Sequence, residues 1–195
     1  MKKIYPKVLL FILFCALAGM PQSVFAQSQE VRNAGLIKRI SVIFQDVAST
    51  GVPHFYNGKI SNKTLIEFGI TYNALRHYKL IKETGNKKFP EVRIPAKYVA
   101  SSISRYFGKS ITHQNAGYWK YRKGYYYGDA SEFEQLAPLE LRNLRVIYAR
   151  GIYTAYAGVV DDFGEETVEK KKITLKQIGS GRNSRLVVTE YSPTK

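Results

Sequence analysis

The chain changes texture at Gly108, and that change limits the folds open to it. Ahead of Gly108, apolar residues recur every three or four positions. Behind it, tyrosines and β-branched residues take over in runs separated by glycine-containing turns. The first pattern lays an apolar stripe along a helix, and the second suits half-buried strands. Helices followed by an antiparallel meander make an α+β order, here two or three helices packed on a curved meander of about five or six strands. Residues 27–195 are thereby expected to form one domain: an N-terminal helix and loop (27–60), helices (61–108) and an antiparallel sheet (109–195).

Three helices are predicted. Ile37, Ile40, Phe44 and Val47 place one from Glu30 to Ala48, although Ile40 to Phe44 also suits a strand. Leu65, Phe68, Tyr72, Leu75 and Tyr78 or Lys79 place a second from Asn62 to Glu83, with Thr64 and Glu67 spaced as a capping box. Pro95 opens a third, whose buried stripe is Val99, Ile103, Tyr106 and Phe107 and whose C-terminal cap is Gly108. Two hairpins then turn at Lys123-Gly124 and Arg150-Gly151, joining Tyr118–Arg122 to Tyr125–Asp129 and Leu139–Ala149 to Ile152–Asp161. Thr167–Ile178 and Ser184–Tyr191 complete the sheet.

Lys2, Lys3 and Lys7 precede an apolar run from Val8 to Ala18, and Val24-Phe25-Ala26 follows. This is the layout of a secretory signal peptide over residues 1–26. The run is shorter than the roughly 20 apolar residues of a membrane helix. The expectation is export to a periplasm or beyond, with a mature chain from Gln27 that has no transmembrane segment. The only cysteine, Cys15, lies in that run behind Phe14, which excludes a lipoprotein site and leaves the mature chain without disulfides or a cysteine metal site. Export without disulfides fits a bacterial protein.

The chain holds 30 Lys and Arg against 15 Asp and Glu, a net +15 that falls to +12 without the three signal lysines. Such charge draws polyanions. Outside the cytoplasm these are lipid phosphates, wall polymers, acidic polysaccharides and acidic proteins, so a nucleic acid is not expected.

Two constellations stand out as binding candidates. Trp119, Tyr121, Tyr125 and Tyr127 lie among Lys120, Arg122 and Lys123, and the four rings would share one strand face while Tyr126 points away. Aromatic faces interleaved with cations suit sugars, bases or a protein partner, but the same residues are ordinary β-formers of a core. Lys170, Lys172 and Lys176 fall on one face of a strand, with Arg142 and Arg145 placed to extend it. That comb can follow a polyanion, or can be a solvated face that guards an edge.

Chemistry-bearing motifs are otherwise missing. His54, His77 and His113 lack metal-ligand spacing, and Asp161, Asp162, Glu165 and Glu166 lack the order of a calcium loop. There is no nucleophile elbow and no phosphate-cradling glycine loop. Ser101, Ser102 and Ser104 have no sequence-adjacent partner, and an active site would have to assemble from distant residues such as Glu67 and His77. No catalytic residue, metal or cofactor is expected.

The stretch from Ile94-Pro95 to Tyr106-Phe107-Gly108, with Lys109-Ser110-Ile111 and the tyrosine-rich meander behind it, resembles a group of uncharacterised exported bacterial α+β domains. Its layout is also similar to cystatin-like and NTF2-like architectures and to the secreted inhibitor of cell-wall DL-endopeptidases. The resemblance spans roughly residues 62–191 and is one of pattern, so it carries over no functional residue. It implies a small exported domain without catalysis that binds a wall enzyme or wall polymer. The function expected is a non-enzymatic envelope module whose basic, aromatic sheet surface engages an anionic partner, polymer or protein. The alternatives are an inhibitor or regulator of a secreted wall hydrolase, and a small-ligand or hydrolytic NTF2-like domain.

Overall fold

The computed structural model describes residues 28–85, 91–133, 136–160 and 168–194. The expected signal segment, Asn86 and the acidic turn at Asp161, Asp162, Glu165 and Glu166 lie outside them. Among the described residues there are three α-helices: α1 (Ala34–Ser49), α2 (Asn62–Arg76) and α3 (Ala96–Phe107). Among the same residues nine antiparallel strands form two sheets. Strands β1 (Gln29–Glu30), β6 (Glu140–Ala149), β7 (Ile152–Val160), β8 (Val168–Ile178) and β9 (Arg185–Pro193) make a five-stranded sheet in that order. Strands β2 (Lys82–Glu83), β3 (Glu91–Pro95), β4 (Lys120–Arg122) and β5 (Tyr125–Asp129) make a four-stranded sheet ordered β2-β3-β5-β4. The fold is α+β, with helices packed on sheet.

The helices start where capping chemistry allows. The first begins at Ala34, not Glu30, because the Asn33 side chain accepts a hydrogen bond from the Leu36 amide at 2.9 Å while Gln29 and Glu30 pair with β6. Ile40 to Phe44 is helical, and Ile40, Phe44 and Val47 are fully buried. The second helix is capped by Ser61, whose hydroxyl accepts from the Thr64 amide at 3.0 Å, so Thr64 is the capped residue and not the cap. That helix ends at Arg76; Tyr78–Leu80 is a single 3₁₀ turn and Lys82–Glu83 is a strand. The third ends on Gly108 at φ 65°, the left-handed cap that glycine adopts without a steric penalty. Pro95 lies just outside it, closing β3 opposite Tyr125.

The meander after Gly108 divides. Its first hairpin pairs with β3, where Val92 and Ile94 are buried and Glu91 and Arg93 face outward, and β6 to β9 form the larger sheet. Val146, Ala155, Ile173, Leu175 and Val188 close the core on the inner face of that sheet. Gly69 of α2 is in close contact with α3: an added Cβ would lie 2.8 Å from Val99 Cγ1 and 2.9 Å from the Val99 carbonyl oxygen. The mild helix-weakening expected of a glycine is here the condition for two helices to touch. Phe68, Tyr72, Tyr106 and Phe107 fill the space between them, with ring centroids 4.8–5.8 Å apart.

Candidate functional site

The smaller sheet divides the tyrosine cluster between its two faces. Across the Lys123-Gly124 turn, Arg122 pairs with Tyr125, Tyr121 with Tyr126 and Lys120 with Tyr127. Residues directly opposite share a face. Tyr121 therefore points inward with Tyr126, and only Tyr125 and Tyr127 point outward, which corrects the expected four-ring face. Trp119 also leaves the candidate surface. It is 7 % exposed, packs on Phe133 at 5.2 Å, and occupies the space a side chain at Gly128 would need, with ring carbons 2.6 Å from that Cβ position. Inside, His113 stacks on Tyr121 at 5.0 Å and its Nδ1 lies 2.8 Å from the Tyr126 hydroxyl. Burial, with Tyr121 alongside, pushes the Tyr126 phenol up to about 12.

The outward face carries a register of cations and rings. Lys82 pairs with Arg93, Arg93 with Tyr127 and Tyr127 with Lys120, so one row crosses all four strands. A second row runs from Pro95 through Tyr125 to Arg122. Arg93 lies over the Tyr125 ring at 5.0 Å and Arg122 over Tyr127 at 4.2 Å. Such stacks are worth about 0.5–1 kcal/mol where exposed, enough to orient a guanidinium. Arg122 also pairs with Glu91 at 2.8 Å, an exposed contact of small net worth. Arg93, Arg122, Lys123 and Tyr127 line an open groove of about 420 Å³ with Glu83, Glu91 and Thr84. Lys82 and Arg93 were not candidates from the sequence, because β2 and β3 precede the hairpin by a whole helix.

The lysine comb lies on the outward face of the larger sheet. Lys172 shares a row with Tyr156 and Arg145, so the expected extension to Arg145 is one of geometry, across the intervening β7. Part of its charge is balanced, however. Lys172 meets Glu190 at 2.7 Å, Arg145 meets Glu30 at 3.4 Å and Arg142 meets Glu140 at 3.4 Å. Lys170 and Lys176 are exposed and have no ion pair among the described residues. Lys171, on the inner face, is 7 % exposed, pairs with Glu169 and lies 2.8 Å from His54 Nε2.

A buried polar network joins the helices. Both oxygens of Asp46 on α1 are occupied: Arg76 Nε donates to Oδ1 at 2.7 Å and the Tyr106 hydroxyl donates to Oδ2. Burial first, then the Asp46 contact, holds the Tyr106 phenol protonated far above the usual tyrosine range. A buried carboxylate held by donors from two other helices fixes the three helices together and is not presented at the surface. A cavity of about 640 Å³ lies alongside, lined by Arg76, His77, Lys79, Tyr98 and Ser101 among others. Glu67 does not line it; its carboxylate approaches Gly117, so Glu67 and His77 are not assembled into one site. Ser102 lines it but is committed to the Tyr98 carbonyl and Asn73 at 3.0 Å each. Among the described residues no group of three or more His, Cys, Asp or Glu is placed to hold a metal, and no helix is long and apolar enough to cross a membrane.

A scan against family models and searches of curated proteins and solved structures found no match to this chain.

Proposed function

We propose that the protein is an exported, non-enzymatic binding module of the bacterial envelope, and that the outward face of its four-stranded sheet engages an anionic polysaccharide. The observation that carries this reading is the row Lys82, Arg93, Tyr127, Lys120 with Tyr125 and Arg122 beside it. Four strands at about 4.8 Å spacing make a track about 14 Å long. A sugar polymer laid across the strands stacks rings on Tyr125 and Tyr127 and sets its acidic groups against Arg93, Arg122, Lys82 and Lys120. The tyrosine-oriented guanidiniums give this face directionality that the point charges of the larger sheet's lysines lack.

The test is retention of the purified protein on immobilised polygalacturonate and on neutral dextran, at low and high salt. Retention on the acidic polymer alone, screened away as salt rises, is the expected result. The Arg93→Glu, Lys120→Glu variant is expected to lose at least about tenfold in affinity, a change of about 1.4 kcal/mol. Reversing Lys170, Lys172 and Lys176 is expected to cost less than about threefold. The opposite ranking moves the site to the larger sheet. Retention that ignores salt removes the electrostatic reading.

A further inference from the structure

A second pocket, of about 380 Å³, opens between α1, the end of α3 and the start of β9. Lys38 and Arg39 on α1, Arg105 in the last turn of α3 and Arg185 at the head of β9 surround it. No carboxylate lines it, and none of the four cations has an ion pair among the described residues. Its walls are apolar: Val42, 43 % exposed one turn beyond Lys38 and Arg39, Ile43, Leu186 and Tyr106. The Tyr106 hydroxyl is turned inward to Asp46, so what the ring offers the pocket is carbon.

From this combination we infer that the pocket binds a single-chain anionic amphiphile, a carboxylate or phosphate head on a short apolar tail. Four unpaired cations around one space repel one another, and an oxyanion relieves that repulsion while accepting several charge-assisted hydrogen bonds. A bare ion would leave Val42 and Ile43 in water, whereas an alkyl tail covers them. The volume lies at the small end of the range for ligand pockets, about 300–1,000 Å³, which suits one chain. The site shares no residue with the small-sheet track, so it stands apart from the polysaccharide reading.

Amide NMR titration with decyl phosphate, below its micelle concentration, tests it. Saturable shifts confined to Gly35, Val42, Leu186 and their neighbours are expected. Decyl glucoside, which keeps the tail, and inorganic phosphate, which keeps the head, are each expected to bind at least about tenfold more weakly, a difference of about 1.4 kcal/mol. Arg105→Gln with Arg185→Gln is expected to weaken decyl phosphate about tenfold with an otherwise unchanged spectrum. Lys38→Gln with Arg39→Gln, on an exposed helix face, serves if the first pair perturbs folding. Unsaturated or scattered shifts, equal binding of either control, or an unaltered affinity in the variants overturns the proposal. Adsorption to anionic lipid vesicles without decyl phosphate binding overturns it too, since the site would then be a membrane-contact surface. The Arg93→Glu, Lys120→Glu protein is expected to bind decyl phosphate normally, which separates failure of this site from failure of the polysaccharide track.

Discussion

On the outward face of the five-stranded sheet, Arg145 meets Glu30, Lys172 meets Glu190 and Arg142 meets Glu140. On that of the four-stranded sheet, Arg93 and Arg122 lie over tyrosine rings, Arg122 also meets Glu91, and Arg93, Lys82 and Lys120 have no carboxylate partner among the described residues. Both faces are rich in lysine and arginine. Among the described residues, the larger face pairs Arg145, Lys172 and Arg142 with carboxylates and leaves only Lys170 and Lys176 of its comb unpaired, whereas the smaller face orients two guanidiniums on rings and leaves Arg93, Lys82 and Lys120 available. The inward faces differ in parallel. Mostly aliphatic and alanine side chains, with Tyr191, close the core under the larger sheet, while Trp119, Tyr121 and Tyr126 fill the smaller one. A row of bulky rings lets a short sheet bury enough area to hold its shape. It also makes the smaller sheet dependent on a few residues.

That dependence gives the largest effect. Trp119→Ala is expected to destabilise the protein by about 3–5 kcal/mol, because an indole is removed from a closed site. Gly128→Ala is expected to cost about 1–3 kcal/mol by pressing a methyl group into the same ring. Denaturant titration gives both numbers. Hydrogen exchange should then show β4 and β5 opening ahead of β7 and β8 in either variant. If all strands exchange together, the two sheets are one cooperative unit and the contrast between their cores has no energetic meaning.

The next effect is alkaline. Tyr126 is raised from 10.0 to about 12, and Tyr106 and Tyr191 are also raised, each chiefly by burial. The folded state therefore holds these phenolic protons more tightly than the unfolded chain. Their contribution to stability is complete below about pH 10 and is lost as pH rises past it. Absorbance of the phenolate, followed alongside circular dichroism, should show the last three tyrosines ionising only as the protein unfolds. Phe at Tyr126 should remove part of this pH dependence and, by orphaning His113 Nδ1, lower stability at neutral pH by about 1 kcal/mol. If Tyr126 titrates with the rest while the fold persists, the aromatic interior of the smaller sheet is open to water; if Tyr106 and Tyr191 do so, the helix layer and the larger sheet are.

How much of this was legible before the fold was known depends on the range of the signal. The stripe Val99, Ile103, Tyr106, Phe107 and the Gly108 cap are local, and they stand in the structure as read. Both two-residue turns are equally local: Lys123-Gly124 and Arg150-Gly151 have positive φ at both positions, as the hairpin twist demands. The failures were of parity and distance. A two-residue turn pairs an odd-numbered residue with an even-numbered one, so following odd numbers across it groups Tyr121 with the wrong partners. Val92 and Ile94 do alternate with Glu91 and Arg93, but over too few residues to declare a strand beside a proline. The pocket of Lys38, Arg39, Arg105 and Arg185 draws on three segments whose meeting is a property of the packed helices alone.

The smallest effect is the most direct probe of the comparison. If the larger sheet is silent because carboxylates hold Lys172 and Arg145, removing those carboxylates should make it speak. Glu190→Gln with Glu30→Gln releases Lys172 and Arg145, which already share a row through Tyr156, beside the unpaired Lys170. These pairs are partly exposed, so the stability change should stay under about 1 kcal/mol. Retention on polygalacturonate at low salt should rise by about two- to threefold, through added long-range attraction alone. Added to the Arg93→Glu, Lys120→Glu protein, the same changes should restore part of the lost binding but none of its preference for a sugar polymer over a simple polyanion such as polyphosphate. Restoration of both would mean that charge count is sufficient and the tyrosine-stacked guanidiniums add nothing. Restoration of affinity without preference would assign the attraction to charge and the choice of partner to Tyr125 and Tyr127.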